Sequence, residues 1–244
     1  MKNKSVFKRI LKTVLCLLLI VVIVALSYVA YVLIDYKRIQ DYIELEITDN
    51  TSSLIPVEKE LKAVSYNIGF CAYTQDFSFF MDGGKSSRAK SEESVNEVLS
   101  GIENLLKNEN ADIIMMEEVD IDATRSHHID QKAYIANAFS TYDSLFAVNY
   151  DSSYLFYPFN EPIGKSLSGM LTMSKYDISS SVRHSLPIET TLMKLVDLDR
   201  CYSVSRMKAE NNKELVLYTV HLSAYTSDGT IATEQLELLI EDMK

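Results

Sequence analysis

The sequence predicts an α/β domain behind one N-terminal transmembrane helix, and three observations predict it. An uncharged apolar run of 22 residues, Thr13 to Ile34, stands near the start. A strand, an amphipathic helix and a second strand follow over residues 61–117. From residue 144 onward, short alternating strands separated by turn residues lead to a last amphipathic helix. Strands that end in polar groups beside a covering helix are the pattern of a fold whose site lies at its strand ends.

Composition narrows the class. With 47% hydrophobic residues, 7 Gly and 4 Pro in 244 residues, disordered and collagen-like chains are excluded. Charge is unevenly placed: residues 1–34 hold Lys2, Lys4, Lys8, Arg9 and Lys12 and no acid. Residues 35–244 hold 19 bases against 34 acids, a net of −15. Such a domain has no general pull on a nucleic-acid backbone, whose non-specific binding comes from Lys and Arg neutralising phosphate. Any phosphate it handles is expected to meet a bound cation first.

Taken in order, residues 13–34 are long enough, at 1.5 Å per residue, to cross the roughly 30 Å hydrocarbon core of a bilayer. A signal peptide has a shorter apolar region of roughly 7–15 residues and a small-residue cleavage site. The run is therefore read as an uncleaved anchor. Its preceding bases place residues 1–12 in the cytoplasm and the domain outside a single-pass cell-membrane protein. Asp35 to Glu60, polar and holding Thr51-Ser52-Ser53 and Pro56, reads as a juxtamembrane stem, and the domain as 61–244.

Leu61 to Ile68 mixes β-branched, aromatic and apolar residues and predicts a strand ending at Asn67, Ile68 and Gly69. From Ser91 to Asn108, Val95, Val98, Leu99, Ile102, Leu105 and Leu106 draw one helical stripe, started by Ser91 with Glu92 and Glu93. Asp112 to Glu117 predicts a buried strand delivering Glu118, Val119 and Asp120. A helix is expected over Gln131 to Phe139. Strands are expected at Ser144–Asn149, Gly169–Ser174, Tyr202–Lys208 and Glu214–His221, with a hairpin turn at Asn211-Asn212. A mixed sheet with an antiparallel meander results. Thr233 to Met243 is an amphipathic helix with no stop signal before Lys244, so the C-terminal part of the domain is expected to be missing. Cys16 belongs to the apolar run. Cys71 and Cys201 are expected as buried thiols, with pairing left open.

Three strand ends carry the chemistry: Asn67 in SYNIG, Glu118 in EEVD and His221 in LYTVHLSAY. A fourth stretch, SLSGMLTMSKYDI, holds Ser168 and Gly169. In this order and register they resemble the endonuclease/exonuclease/phosphatase superfamily, metal-dependent phosphoesterases that include deoxyribonuclease I and sphingomyelinases. The resemblance covers Leu61 to Lys244 and departs at Glu117, which stands where the family has Gln. It implies a four-layer α/β sandwich. It also implies Mg²⁺ or Mn²⁺ on Glu118, with Asn67 beside it orienting the carboxylate or touching phosphate. His221 is implied as a donor to the phosphoryl group. A hard carboxylate oxygen suits Mg²⁺, which keeps several waters and takes one or two carboxylates.

The resemblance leaves two readings open elsewhere. Arg125, His127 and His128 in RSHHID are either a substrate-side phosphate clamp or a solvent loop with a helix cap at Asp130. Arg200 either aims at phosphate or pairs with Asp197 or Asp199. Asn149 and Tyr150 lie where some relatives keep a site residue. The family's Gly-Asp-x-Asn and Ser-Asp-His motifs have no counterpart here, and Ser227-Asp228-Gly229 does not replace them. The expected function is therefore extracytoplasmic, metal-dependent phosphoester hydrolysis, with this chain itself short of active. The acidic balance favours a small or lipid-headgroup substrate over a long nucleic acid, although a groove around Arg125, Lys165 and Arg200 keeps a nuclease open. The rival is a membrane-anchored binding module that kept the fold and lost the chemistry.

Overall fold

A computed structural model describes residues 2–223 and 229–244, without the side chains of residues 2–5 and 193. Ala224 and Tyr225, which end the His221 stretch, and Ser227-Asp228 lie outside the described residues. The chain divides into two compact units, Met1–Lys37 and Arg38–Lys244.

The first unit is one helix, α1 (Lys2–Asp35). Its segment Val6–Asp35 has a mean hydropathy of 3.0 and is long and apolar enough to cross a membrane. The helix is longer than the apolar run, because nothing between Lys2 and Lys12 breaks it: the basic residues there are good helix formers.

The second unit contains two sheets. One has five strands in the order β2 (Ile47–Thr48), β5 (Asp143–Asp151), β6 (Ser166–Ser174), β4 (Ile113–Ala123) and β3 (Ala63–Asn67). Only β3 and β4 run parallel, joined over α2 (Glu92–Glu109). The other sheet is antiparallel, in the order β1 (Ile43–Glu44), β7 (Ser180–Ser185), β8 (Cys201–Lys208) and β9 (Glu214–Val220).

The layers follow from which faces are apolar. Ser91 caps α2 by accepting from the Ser94 N–H, and Asn110 closes it in a left-handed conformation. The helix then buries Val95, Leu99, Ile102 and Leu106. With Ile135 of α3 (Gln131–Ala138), these cover Ile114, Met116, Leu171 and Met173 on one face of the five-stranded sheet. Full burial of a Leu such as Leu99 or Leu106 stabilises by about 1.5–3 kcal/mol. Leu105 stays outside the stripe and exposed. The opposite face meets the second sheet through Ile113, Leu145, Ile178 and Met207, and the Thr172 and Thr219 hydroxyls bond across the gap at 3.0 Å. Finally α4 (Thr230–Asp242) sets Leu239 on Leu186 and Tyr202, outside the second sheet. Helices, sheet, sheet and helix make the four-layer α/β sandwich.

Three expectations are corrected. Residues 35–60 are not a free stem: Ile43–Glu44 pairs with β7 and Ile47–Thr48 with β5, so this stretch edges both sheets. Two-residue strands carry no alternation that a sequence displays. The strand expected over Asp112–Glu117 continues to Ala123, because a bulge between Met116 and Val119 lets it keep pairing with β6. And β7 was not expected, because its inward residues are polar: Ser181 bonds Ser205, and Arg183 donates from Nε to the Val148 carbonyl at 2.8 Å. Cys71 and Cys201 are both buried free thiols.

Candidate functional site

Asn67 is the last residue of β3, and parallel pairing sets it opposite Glu117. The bulge in β4 then holds Glu118 at φ 55, a left-handed conformation that a strand residue rarely adopts. The Ser168 hydroxyl locks that bulge by donating to the Val119 carbonyl at 3.1 Å. Gly169 beside it has no room for a side chain: a Cβ there would lie 2.3 Å from the Ala147 carbonyl oxygen. The bulge thus turns Glu118 toward Asn67, whose Nδ2 donates to Oε1 at 2.9 Å. Asn67 is itself fixed, since its Oδ1 accepts from the Gly69 N–H at 2.9 Å.

His221 follows β9 directly, and its backbone N–H reaches the Cys201 carbonyl at 3.4 Å. Its Nε2 lies 3.7 Å from Glu118 Oε1, and its Nδ1 lies 3.4 Å from Nδ2 of the fully buried Asn149. Burial, with Arg200 and Arg125 adding positive charge, pushes His221 down to about 3. The imidazole is therefore neutral at neutral pH, and the contact with Glu118 is not an ion pair. The Asn149 amide facing Nδ1 leaves Nε2 as the ring nitrogen on the side of Glu118. Glu117, half-buried beside Glu118, is raised by burial and by that neighbouring charge, with Arg200 opposing.

The structure brings Asn67, Glu118, Asn149 and His221 together, and it gives the remaining candidates other work. Arg125 is no surface clamp: its side chain is 5% exposed and grips Asp120 through Nε at 3.1 Å and Nη2 at 2.8 Å. It also lies over the Phe70 ring, 4.1 Å from the centroid. Nor is its loop merely solvated, since Ser126 donates to the same Asp120 carboxylate and His127 contacts the Ala89 carbonyl. His128 is exposed and paired with Asp122. Asp130 caps α3 by accepting from Ala133 N–H at 2.8 Å. Arg200 is buried, bonding Asp197 at 3.2 Å and the Leu222 carbonyl at 3.0 Å, so only its field reaches the site. Tyr150 is buried, its hydroxyl donating to the Val196 carbonyl. Asp120, delivered by the same strand, is not among the residues whose chemistry the sequence marks; its signal is the acid in EEVD that an Arg follows five residues later.

The donor set fits a divalent cation of the hard type. Among the described residues nothing bonds Oε2 of Glu118, and the adjacent Glu117 is raised by burial and by the Glu118 charge, a repulsion a cation would relieve. A separate acidic group, Asp49, Asp143 and Asp177, has ligand atoms within 4.8 Å of one another. It lies at the start of β5, away from the site. Asp143 there accepts from the Asn50, Thr51 and Ile178 N–H groups, so the cluster ties loops to the sheet.

Fold and site together define a strand-end carboxylate–imidazole centre in a four-layer sandwich. The chain belongs to the endonuclease/exonuclease/phosphatase family, whose model matches residues 64–242. That family consists of phosphoester hydrolases that generally depend on a divalent metal. Solved structures share the fold. An endonuclease/exonuclease/phosphatase from Beutenbergia cavernae DSM 12333 superposes with a TM-score of 0.53 at 18% identity, covering 74% of this chain and 43% of its own. ANGEL2, a 2′,3′-cyclic phosphatase, superposes at 0.51 with 15% identity, covering 82% and 50% respectively. The chain thus spans about half the length of these relatives. No curated protein sequence matches it.

Proposed function

We propose that the protein is a membrane-anchored phosphoesterase that works outside the membrane with Mg²⁺ or Mn²⁺. The observation that carries the reading is Glu118, turned by a strand bulge onto Asn67 and facing the neutral His221. Glu118 would hold the cation, which supplies charge stabilisation to the non-bridging phosphoryl oxygens. Asn67 keeps Oε1 aimed and leaves Oε2 open. His221 holds a proton at Nε2 and donates it as a hydrogen bond to the phosphoryl group as charge builds there. Asn149, fully buried and facing Nδ1, holds the ring in place. Burial, with Arg200 and Arg125 adding to it, keeps the imidazole neutral, and neither arginine touches substrate. The basic residues before the apolar helix favour an outward domain.

The test joins topology to chemistry. Protease added to intact cells should remove the domain and spare a tag at Met1, and the purified protein, carried through the Gly-Asp-x-Asn and Ser-Asp-His motifs that the resemblance implies, should hydrolyse a generic phosphodiester only when Mg²⁺ or Mn²⁺ is present. Full protection overturns the orientation, and hydrolysis untouched by a chelator overturns the metal.

A further inference from the structure

Loop residues 152–165, between β5 and β6, leave the five-stranded sheet at the end that carries Glu118. Their tip is apolar and held outward. Phe156 is 50% exposed, Tyr157 62% and Phe159 85%. Leu155 and Gly164 exchange backbone hydrogen bonds at 3.1 Å, closing the tip into a hairpin. From the side, Ser87 and Arg88 donate to the Glu161 and Pro162 carbonyls at 2.5 Å each. The Phe80 and Tyr157 rings meet edge-on at 5.8 Å. A loop pinned this well does not expose three aromatic rings by fraying. The one acid of the loop, Glu161, is turned inward onto Ser87.

Charge sets the same region apart. Residues 69–90 and 152–165 hold Lys85, Arg88, Lys90 and Lys165 against Asp76, Asp82 and Glu161, while residues 35–244 together carry −15. An acidic domain has spared its aromatic rim the charge that an anionic surface would repel.

The route of the chain agrees. Only Tyr36 and Lys37 separate α1 from Arg38, and Arg38 is already bonded within the domain. Arg38 donates to the Leu186 carbonyl at 2.5 Å, Ile39 N–H to Asp199 at 2.9 Å, and Ser185 N–H to Asp41 at 2.7 Å. These partners flank the end of β7 and the start of β8, the same end at which Arg200 and His221 lie. Two residues reach at most about 7 Å. A chain emerging from a bilayer therefore enters the domain at its site end.

We infer that this end of the domain rests on the bilayer in which α1 is anchored, with Phe156, Tyr157 and Phe159 seated at headgroup level, where amphipathic and aromatic rings are favoured. The site would then take a phosphoester borne by a lipid. This rests on reading α1 as a membrane span and Glu118 with His221 as a phosphoesterase centre.

The chain has no Trp, so Phe159→Trp in the full chain gives one emission signal. Asn211→Trp, in the β8–β9 turn at the opposite end, is the control. Both are reconstituted into vesicles of phosphatidylcholine with a minority of phosphatidylglycerol, with and without lipid brominated on its acyl chains. Docking is expected to shift the Phe159→Trp emission to the blue and to quench most of it with brominated lipid, leaving Asn211→Trp unchanged. Solvent-like, unquenched emission from Phe159→Trp overturns the inference. So does emission that is blue-shifted yet unquenched, which means a second copy or another protein covers the loop. Glu118→Gln added to Phe159→Trp separates the two readings, because it is expected to keep the quenching. Quenching alongside hydrolysis that ignores Glu118 sinks the site and leaves the docking; Glu118-dependent hydrolysis without quenching does the reverse.

Discussion

The Asn67 amide donates to Oε1 of Glu118 at 2.9 Å, joining the end of β3 to the bulge within β4 across 51 residues of sequence. The bond exists because β4 bulges where β3 stops. It leaves one carboxylate oxygen aimed by protein and the other open.

A residue that orients a metal ligand commonly accounts for 10- to 100-fold in metal affinity or activity. Asn67→Ala is therefore expected to raise the Mg²⁺ concentration needed for half-maximal hydrolysis by about that range. Metal titrations of wild type and variant check it. An unchanged midpoint would mean that Asn67 serves only to end its strand.

Arg125 is expected to act on stability. Removing one partner of a buried ion pair strands the other charge and costs about 3–5 kcal/mol. Arg125→Met should therefore lower the free energy of unfolding by roughly that amount, because Asp120 stays fully buried with the Ser126 hydroxyl as its remaining side-chain donor among the described residues. Urea denaturation measures the difference. A stable Arg125→Met with weakened substrate binding would restore the surface-clamp reading.

His221 sets a pH dependence whose sign follows from its lowered pKa. Folded, it stays neutral down to about 3; unfolded, it takes a proton near the ordinary value of 6.5. Below 6.5 the unfolded chain binds more protons, so this contribution to stability is complete above that pH and is lost as pH falls toward 3. In metal-free buffer, stability between pH 4 and 6.5 should fall less steeply in His221→Gln than in wild type. Parallel curves would show that the imidazole is not held neutral by burial.

Much of this architecture is legible in the sequence, because its signals are periodic. The stripe Val95, Leu99, Ile102, Leu106 and the Ser91 cap define α2 to within a residue at each end. The Ser168-Gly169 pair is legible as well, and the close approach of the Ala147 carbonyl explains the glycine. What stays hidden is aperiodic or inverted. β7 points Ser181 and Arg183 inward, reversing the pattern that marks a strand, and β1 and β2 are too short to have one.

The candidate site divides along the same line. The positions of Asn67, Glu118 and His221 can be read from order and spacing. The φ of 55 that turns Glu118 cannot, and neither can the burial of Arg125, since RSHHID is as polar as any surface loop.

The central claim is that Glu118 holds the cation while His221 serves the phosphoryl group. Glu118→Gln keeps the shape of the side chain and removes its charge, so the most direct measurement is Mg²⁺-dependent hydrolysis and Mg²⁺ affinity in Glu118→Gln beside His221→Ala. The expected result is loss of metal binding and turnover together in Glu118→Gln, with His221→Ala losing on the order of 10²-fold in rate at unchanged metal affinity. Turnover and metal affinity in Glu118→Gln equal to wild type would contradict the account.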